Sequence, residues 1–337
     1  MTQDFRQQNP SAEWLAHRYD PTHDAIQFHV IDRELRRSTP FLTDDCLAPK
    51  HPPLVIKRSD LTVSPSPIHF IFHSAYCCST LLASAFDLPG SAMSLKEPVL
   101  LNDLVGWRQR GAAPDAVSQV LDSGLSVLAR PFQTGEATVI KPSNVVNGLA
   151  TAMMSLRPQA KAILLYAPLE AYLTSIARKG MTGRLWVREL LSRQLVDGLV
   201  ELGFTPRDYL LHTDLQAAAV GWLAQHRLFA IMADRWPDRV RTLDSEQLIA
   251  DPLASLDAAS AFLGIAPPAD GFTPVIETVF QRNAKDGSPF KPGQREGDRQ
   301  QGQQLHKEEI ERVAQWAQLV ARNAGLPDRL PMPLLAN

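Results

Sequence analysis

Residues 68–82 read IHFIFHSAYCCSTLL and carry the strongest structural signal in the chain. The apolar run from Ile68 to His73 favours a buried β-strand. A turn of small residues follows, and Ser79 and Thr80 then open a helix. Free backbone N–H groups and the positive end of a helix dipole meet where a strand runs through a tight turn into a helix. The stretch therefore predicts an anion-binding turn.

This turn lacks the residues with which a Walker A loop holds a nucleoside triphosphate. That motif reads G-x-x-x-x-G-K-[ST], and its lysine reaches the outer phosphates. When the chain is aligned on Thr80, His73 and Cys78 stand at the glycine positions. Ser79 stands at the lysine position. We therefore do not expect ATP hydrolysis by the usual P-loop route.

Length and composition are those of an ordinary globular protein. The 337 residues could fill one large α/β domain or two smaller ones. Hydrophobic residues make up 45% and charged residues 21% of the chain. The formal net charge is −2, from 34 basic and 36 acidic side chains. Such a balance provides no global field for nucleic acid or an anionic membrane, so neither is expected as a partner.

The cysteines and the amino terminus bear on the compartment. Cys46, Cys77 and Cys78 are an odd number with no disulfide framework, which suits a reducing environment. The start, MTQDFRQQNP, has no apolar signal-peptide core. No run approaches the roughly 18 apolar residues of a membrane span. We expect a cytoplasmic protein, and the sequence leaves its oligomeric state open.

Strand-like and helix-like segments alternate from residue 68 onward. Further apolar runs cover 137–140, 162–166 and 239–243. The predicted helices cover Asp115–Arg130, Leu169–Arg178, Val187–Leu202, Leu215–Arg235 and Pro252–Leu263. Short buried strands separated by helices predict an α/β fold, in which helices cover both faces of a mainly parallel sheet.

The two ends of the chain have less regular patterns. We expect residues 1–66 to form an N-terminal extension packed on a main domain of residues 67–337, with a helix around Ser11–His17. Gly287–Gln304 is rich in Gly, Gln, Lys and Arg and predicts a loop. A polar-faced helix is predicted from Lys307 to Ala324.

Polar residues follow several of the predicted strands. Glu97 comes after the first helix, Lys141 ends the strand at 137–140, and Thr174 and Arg178 lie on the helix after 162–166. Thr174 and Arg178 are four residues apart and share a helix face. Ligands of open parallel sheets lie beyond the carboxyl ends of the strands. We therefore expect these side chains to converge near the anion-binding turn, with neither Glu97 nor Lys141 in the core.

Five segments resemble, in order and spacing, the motifs of sulfotransferases that use 3′-phosphoadenosine 5′-phosphosulfate (PAPS). The nearest branches are the protein-tyrosine and the bacterial small-molecule sulfotransferases. The segments are Tyr76–Leu82, Lys96–Pro98, Lys141–Asn144, Arg157–Pro168 and Leu243–Gly264. The resemblance covers roughly residues 68–265. It implies a P-loop NTPase-like three-layer fold of the sulfotransferase type, with a central, mainly parallel sheet.

The resemblance also implies a reaction and roles for residues. The protein would be a nucleotide-binding transferase that moves a sulfuryl group from PAPS to a hydroxyl or amine of a small-molecule or peptide acceptor and releases PAP. Glu97 would act as the general base, and Lys141 would neutralise the leaving oxygen. Thr174 and Arg178 would bind the 3′-phosphate. The 5′-phosphosulfate would be bound by Tyr76, Cys77, Cys78, Ser79, Thr80 and Leu81.

The chain departs from the family pattern at three positions. Tyr76 replaces a loop Arg or Lys, and Tyr166 replaces the Arg of an R-D-P motif. Cys78 replaces a glycine, although cysteine lacks the tolerance of glycine for positive φ. Two usual cationic contacts are therefore absent. The candidates to replace them are Lys96, Arg282, Lys285 and Lys291.

Two other functions fit parts of the sequence. A P-loop-like small-molecule kinase would share the strand–turn–helix unit, but the missing Walker lysine speaks against it. A catalytically silent relative that binds a nucleotide or a protein partner would explain the tyrosines at two arginine positions. Heat protection by ATP would favour the first alternative, and PAP binding without turnover would favour the second.

Metal and thiol chemistry have weaker support. His69 and His73 are spaced H-x-x-x-H, but four residues of a strand span about 13 Å, too far to share one metal. We therefore predict no metal site. Cys77 and Cys78 lack the arginine of a C-x₅-R phosphatase loop and are expected to be small buried residues. His73, next to the turn, is either a second acid/base or a hydrogen-bonded structural residue.

Overall fold

A computed structural model describes residues 11–49, 51–62, 66–280 and 294–335, with side chains from residue 306 onward in the last range. The strands are β1 (Trp14–Asp20), β2 (Ala25–Val30), β3 (Leu54–Lys57), β4 (Ile68–His73), β5 (Ala92–Lys96), β6 (Ala137–Lys141), β7 (Ala162–Tyr166) and β8 (Val240–Asp244). The helices are α1 (Arg33–Ser38), α2 (Ser79–Ala85), α3 (Val99–Gln109), α4 (Pro114–Leu128), α5 (Ala150–Leu156), α6 (Leu169–Arg178), α7 (Gly180–Val196), α8 (Pro206–Leu211), α9 (Asp214–Arg235), α10 (Ser245–Ala250), α11 (Pro252–Leu263), α12 (Thr273–Val279) and α13 (Gln294–Asn323). Short 3-10 turns cover Arg58–Asp60 and Asn144–Leu149.

The central sheet has five parallel strands in the order β5-β6-β4-β7-β8. The strand that runs into the predicted anion-binding turn, β4, therefore has two strands on either side. All five strands end at the same edge, and the register places Lys96 of β5 opposite Lys141 of β6. The predicted mainly parallel sheet is confirmed, and its carboxyl edge collects the residues after β4, β5, β6 and β7.

Helices cover both faces of this sheet. Phe70 and Phe72 of β4 belong to one hydrophobic cluster, which includes residues of α3, α4 and α5. Ile71 lies between them in sequence and belongs to a second cluster with residues of α2, α6 and α7. Successive strand residues point to opposite faces, so a strand buried on both sides has no polar alternation. The three layers agree with the predicted P-loop-like fold.

The N-terminal segment covers the edge of the sheet at β5. Strands β1, β2 and β3 form a separate antiparallel sheet. Arg33 of α1 donates to the carbonyl of Ala92 over 2.6 Å, at one end of β5. The N–H of Leu42 donates to the carbonyl of Lys96 over 2.7 Å, at the other end. The segment thus occupies an edge that would otherwise expose unpaired backbone groups.

Two predictions about secondary structure near the N-terminus and β5 differ from the structure. The predicted helix at Ser11–His17 is wrong, because β1 begins at Trp14 and pairs with β2. Cross-strand pairing there outweighs local propensity. Strand β5 was not predicted, although all five of its residues are buried. The short run Ala92–Lys96 mixes apolar and polar residues, and its burial comes from neighbours distant in sequence.

The predicted helix boundaries hold for some helices and not for others. Helices α6 and α11 have the predicted bounds. Helix α7 begins seven residues before the predicted Val187, and it ends just before Gly198, which has a φ of 68°. Helix α13 contains the predicted helix except for its last residue, Ala324, and has a non-helical break at His306. Residues 294–304 of the predicted loop are helical, and its residues 287–293 lie outside the described residues. None of the helices within the described ranges has the length and apolar run that a bilayer crossing requires.

Candidate functional site

The turn between β4 and α2 has an unusual backbone. Ala75, Tyr76 and Cys78 have φ angles of 70°, 51° and 61°. Residues other than glycine rarely enter this left-handed region, and such residues cluster at functional sites. Cys77 lies between two of them and is not left-handed, so the chain alternates in hand from Tyr76 to Cys78. Such alternation is typical of backbone nests that bind anions, which makes this turn a candidate nest.

Neighbouring strands hold this turn in place. The N–H of Ser74 donates to the carbonyl of Leu165 over 3.1 Å, and the N–H of Ala167 donates to Oγ of Ser74 over 3.2 Å. Both partners lie at the carboxyl end of β7. The left-handed conformation of Cys78 immediately precedes α2. The backbone at Cys78 has the conformation that glycine adopts without steric cost, and glycine is the residue of the motif that this turn resembles.

Glu97 also has a left-handed backbone, with a φ of 54°. It follows β5 directly, and its N–H donates to the carbonyl of Lys141 over 2.7 Å. Its side chain is 19% exposed. Four of the six described non-glycine residues with positive φ therefore lie at the carboxyl ends of β4 and β5. This concentration of strained residues makes the region the candidate functional site.

Lys141 ends β6 and is fully buried, with an ion pair to the carboxylate of Glu97. The expectation that it lies outside the core is wrong. Burial lowers the pKa of its ammonium group, and the charge of Glu97 together with its hydrogen bond opposes this shift. The Phe41 ring lies 5.1 Å from Nζ. Phe41 gave no signal in the sequence, because it lies far from Lys141 along the chain.

The turn and the ion pair are electrostatic neighbours. Burial raises the pKa of the Cys77 thiol to about 12, and the positive charge of Lys141 acts in the opposite direction. Such a thiol is protonated at neutral pH, which agrees with Cys77 as a small buried residue rather than a nucleophile. The structure therefore brings together three predicted groups: the turn, Glu97 and Lys141.

His73 links the turn to the residue after Lys141. Its Nδ1 accepts the N–H of Ala75 over 3.1 Å, so its Nε2 carries the proton that is donated to the carbonyl of Pro142 over 3.1 Å. Asn147 donates to the carbonyl of His73 over 3.0 Å. Both ring nitrogens have backbone partners, which favours the structural alternative for this histidine.

Thr174 and Arg178 both lie on α6, beyond β7. The Thr174 hydroxyl is buried and donates to the carbonyl of Glu170 over 2.7 Å. Its single proton is therefore used inside the helix. Arg178 is exposed in the last turn. In this conformation Thr174 offers an anion no proton, whereas the guanidinium of Arg178 is accessible from solvent.

Aromatic packing surrounds Tyr76 and Tyr166, the two tyrosines that stand at cationic positions of the resembled motifs. The Tyr76 ring lies 5.4 Å from that of Trp186 and 6.1 Å from that of Tyr172. The Tyr166 ring meets His226 edge-on at 5.0 Å, and His226 stacks on Trp222 at 3.5 Å. Because both tyrosines are packed against other rings, neither position provides a positive charge.

Comparison with known proteins finds similarity at the level of structure. No family model and no curated protein matches the chain. The structure is similar to the sulfotransferase domain of the olefin synthase of Synechococcus PCC 7002, with 18% identity and a TM-score of 0.42 over 69% of this chain and 83% of that chain. It is also similar to the sulfotransferase domain of the curacin biosynthetic pathway, with 15% identity and a TM-score of 0.45 over 79% of this chain and 99% of that one. Both are sulfotransferase domains, the class that the sequence motifs resemble.

Proposed function

We propose that this protein is a PAPS-dependent sulfotransferase, which transfers a sulfuryl group to a hydroxyl or amine of a small-molecule or peptide acceptor. The observation that carries the proposal is the buried Lys141–Glu97 ion pair beside a left-handed turn at the carboxyl edge of the sheet. A buried lysine whose one described ionic partner can itself accept a proton is suited to group transfer.

The groups of the site fit a phosphosulfate. The nest between β4 and α2 would hold its oxygens through backbone N–H groups, with hydroxyls from Ser79 and Thr80. Lys141 would bring an ammonium group to this nest, because His73, next to the turn, donates to the carbonyl of Pro142, the residue after Lys141. When bound, PAPS would supply the sulfuryl group. Cys77 and Cys78 contribute backbone rather than thiol chemistry, and Tyr76 and Leu81 flank the nest.

Glu97 and Lys141 have complementary roles. One oxygen of Glu97 accepts from Lys141, and the side chain retains a 19% exposed surface from which it can accept a proton from an acceptor hydroxyl or amine. Protonation of Glu97 removes the negative charge that holds the ammonium group of Lys141. That ammonium group is then available to stabilise negative charge developing on a leaving oxygen. In this way proton transfer at Glu97 and charge neutralisation by Lys141 are coupled.

Arg178 and Thr174 are the residues proposed to contact the 3′-phosphate. Arg178 is exposed, and a guanidinium group suits a phosphate through paired hydrogen bonds. Thr174 would have to turn its hydroxyl proton away from Glu170 to take part. A 3′-phosphate site would distinguish PAP from ATP and AMP, which lack that group.

Calorimetric titration with PAP, ATP and AMP at one ionic strength tests the proposal. We expect PAP to bind at least tenfold more tightly than ATP, and Lys141→Met to weaken PAP binding at least tenfold. Lys161→Met is the control, because the amine of Lys161 is also hydrogen-bonded, to the carbonyl of Phe262, but the residue precedes β7 at the opposite edge of the sheet. This variant should bind PAP like the native protein.

The other outcomes separate the rival functions. ATP bound more tightly than PAP would favour a kinase. No binding of any nucleotide would mean that the aromatic packing of Tyr76 and Tyr166 has closed the cofactor site. If PAP binds as expected, a screen of acceptors with labelled PAPS follows, with Glu97→Gln as the inactive reference.

A further inference from the structure

Backbone hydrogen bonds tie the N-terminal segment to both sides of Glu97. The N–H of Leu42 donates to the carbonyl of Lys96 over 2.7 Å, and the carbonyl of Leu42 accepts from the N–H of Val99 over 3.3 Å. Leu42 is fully buried. Its two backbone bonds therefore hold the chain immediately before and two residues after the left-handed Glu97.

A side chain makes a third tie. Lys96 is buried, and its Nζ donates to the carbonyl of Arg37 over 2.9 Å. Arg37 lies in the last turn of α1, where carbonyl groups lack helical partners. Lys96 is therefore the residue through which β5 holds the end of this helix. It is also the neighbour of Glu97 in sequence and the register partner of Lys141.

The same segment covers the ammonium group of the ion pair. Phe41 precedes Leu42, and its ring lies 5.1 Å from Nζ of Lys141. This distance allows a cation–π contact. The segment thus touches the site at three points: the backbone around Glu97, the amine of Lys96 and the amine of Lys141.

We propose that residues 37–42, which we call the brace, are a positioning element of the catalytic site. The brace holds the chain on both sides of Glu97 so that its carboxylate stays on Lys141, and it shields their ion pair from water. Its members act through Glu97 and Lys141, so they are positioning residues. The inference deepens the proposed function and rests on it only for the catalytic consequence.

A physical reason makes such an element necessary. A left-handed conformation is unfavourable for glutamate, so the native geometry of Glu97 persists only where surrounding contacts impose it. A displacement of about 1 Å at a reacting group can lower a rate roughly 100-fold. Loosening the brace should therefore affect the conformation of Glu97 and the environment of Lys141 while leaving the central sheet in place.

Two variants test separately the hydrogen bond from Lys96 to Arg37 and the shielding of the ion pair by Phe41. Lys96→Met removes the amine that donates to Arg37, and Phe41→Ala opens the ion pair to water. Lys161→Met is again the matched control, because it loses the same kind of lysine-to-carbonyl bond and a ring contact at 5.3 Å, away from the site. All three variants are compared at temperatures equally far below their own Tm, so that differences in overall stability do not affect the comparison.

Hydrogen exchange and lysine titration, both by NMR, provide readouts that need no ligand. In Lys96→Met we expect the Glu97 amide to exchange at least tenfold faster, with the amide of Val139 in β6 unchanged. In Phe41→Ala we expect the acid dissociation constant of the Lys141 ammonium group to fall at least threefold, since hydration of this group, whose burial is the largest cause of its lowered pKa, should outweigh the loss of the cation–π contact. A merely structural role of Phe41 would leave this constant unchanged.

The outcomes distinguish this inference from the proposed function. Unchanged Glu97 exchange in Lys96→Met, or changes equal to those in Lys161→Met, would overturn the brace. The same holds if Phe41→Ala leaves the Lys141 titration where it was. Failure of the native protein to bind PAP would count against the proposed function alone, since neither NMR readout involves a nucleotide. Where both hold, kcat should fall at least tenfold in Lys96→Met with the Kd for PAP changed less than twofold.

Discussion

Glu97 and Lys141 are joined twice, once through the backbone and once through their side chains. The N–H of Glu97 donates to the carbonyl of Lys141 over 2.7 Å, and the ammonium group of Lys141 pairs with the carboxylate of Glu97. The two residues are 44 positions apart in sequence. The main-chain bond thus holds the carboxylate of Glu97 near the buried ammonium group of Lys141. The parallel register of β5 and β6 brings the two residues together.

This arrangement predicts an asymmetry between two single substitutions. Glu97→Gln leaves a fully buried ammonium group without its ionic partner, so the free energy of unfolding should fall by about 2–3 kcal/mol at pH 7. Lys141→Met leaves Glu97, whose side chain is 19% exposed and can be hydrated, so the change should stay within about 1 kcal/mol. Denaturant titration of both variants measures the difference. Equal losses of unfolding free energy in the two variants would contradict the claim that the buried Lys141 depends more on the ion pair than Glu97 does.

The lowered pKa of Lys141 predicts the pH dependence of anion binding. Its ammonium form attracts the anion, and because burial lowers its pKa below 10.5, the charge should be lost at a lower pH than for an exposed lysine. PAP affinity should therefore decline on the alkaline side, with proton uptake on binding when calorimetry is repeated in buffers of different ionisation enthalpy.

Lys96 is the control for this titration, since burial lowers its pKa to about 8. In Lys96→Met the alkaline decline should persist, whereas in Lys141→Met it should disappear together with most of the affinity. An alkaline decline that vanishes in Lys96→Met alone would assign the titrating group to Lys96 instead.

Cys78 should be replaceable by glycine with a gain in stability. Its φ of 61° is unfavourable for any residue with a Cβ, so Cys78→Gly should raise the free energy of unfolding by about 1 kcal/mol. Cys78→Val should lower it by more, because a β-branched residue is the poorest fit to this region. Cys46→Gly is the control: Cys46 has no positive φ, and glycine there should be destabilising. A loss of stability in Cys78→Gly would contradict the left-handed turn.

His226 should contribute to unfolding in acid. It is packed between Trp222 and Tyr166, and burial lowers its pKa from 6.5 to about 3. In the unfolded chain this histidine takes up a proton near pH 6.5, whereas in the native protein it stays neutral down to about pH 3. Its contribution to the free energy of unfolding is therefore complete above pH 6.5 and is lost as the pH falls toward 3. The loss of unfolding free energy amounts to about 5 kcal/mol at most. Among buried histidines, His69, with a pKa lowered to about 4, acts over a similar range.

The stability of His226→Phe as a function of pH tests this prediction. Phenylalanine keeps a ring of similar shape and cannot take up a proton, so the slope of unfolding free energy between pH 6 and 4 should be shallower. His51→Asn changes an exposed histidine and is the comparison variant. Parallel pH profiles in the native protein and His226→Phe would rule out His226 as a source of acid sensitivity.

Much of the fold was predictable because its signals are local. The strand at Ile68–His73, the helix that starts at Ser79 and the parallel arrangement follow from apolar runs and turn chemistry within short windows. Strand β1 and strand β5 were missed for the opposite reason. Their burial depends on partners far along the chain, as in the tie between Leu42 and Lys96, which no local pattern contains.

The candidate site divides in the same way. Lys141 could be proposed from its position at the end of a predicted strand, since parallel strands place their carboxyl ends at one edge. Glu97 could be proposed from its place after the first helix and from the motif that contains it. Phe41 could not be proposed in this way. The prediction that Lys141 lies outside the core was wrong, because the burial of a charged side chain depends on a paired group, here the carboxylate of Glu97. The aromatic packing of Tyr76 and Tyr166 likewise appears only once α7 and α9 are folded against the sheet.

Amino-acid order alone was enough to specify the β4–turn–α2 unit, the layered α/β architecture and the residue types available for chemistry, because these depend on periodicity and spacing over a few turns of chain. Three features could be seen only in the folded molecule: the left-handed conformation of Glu97, the burial of Lys141 and the contact between the Phe41 ring and the amine of Lys141. Each depends on a contact between segments more than 40 residues apart, whose proximity results from the strand register and from the packing of the N-terminal segment on the sheet edge.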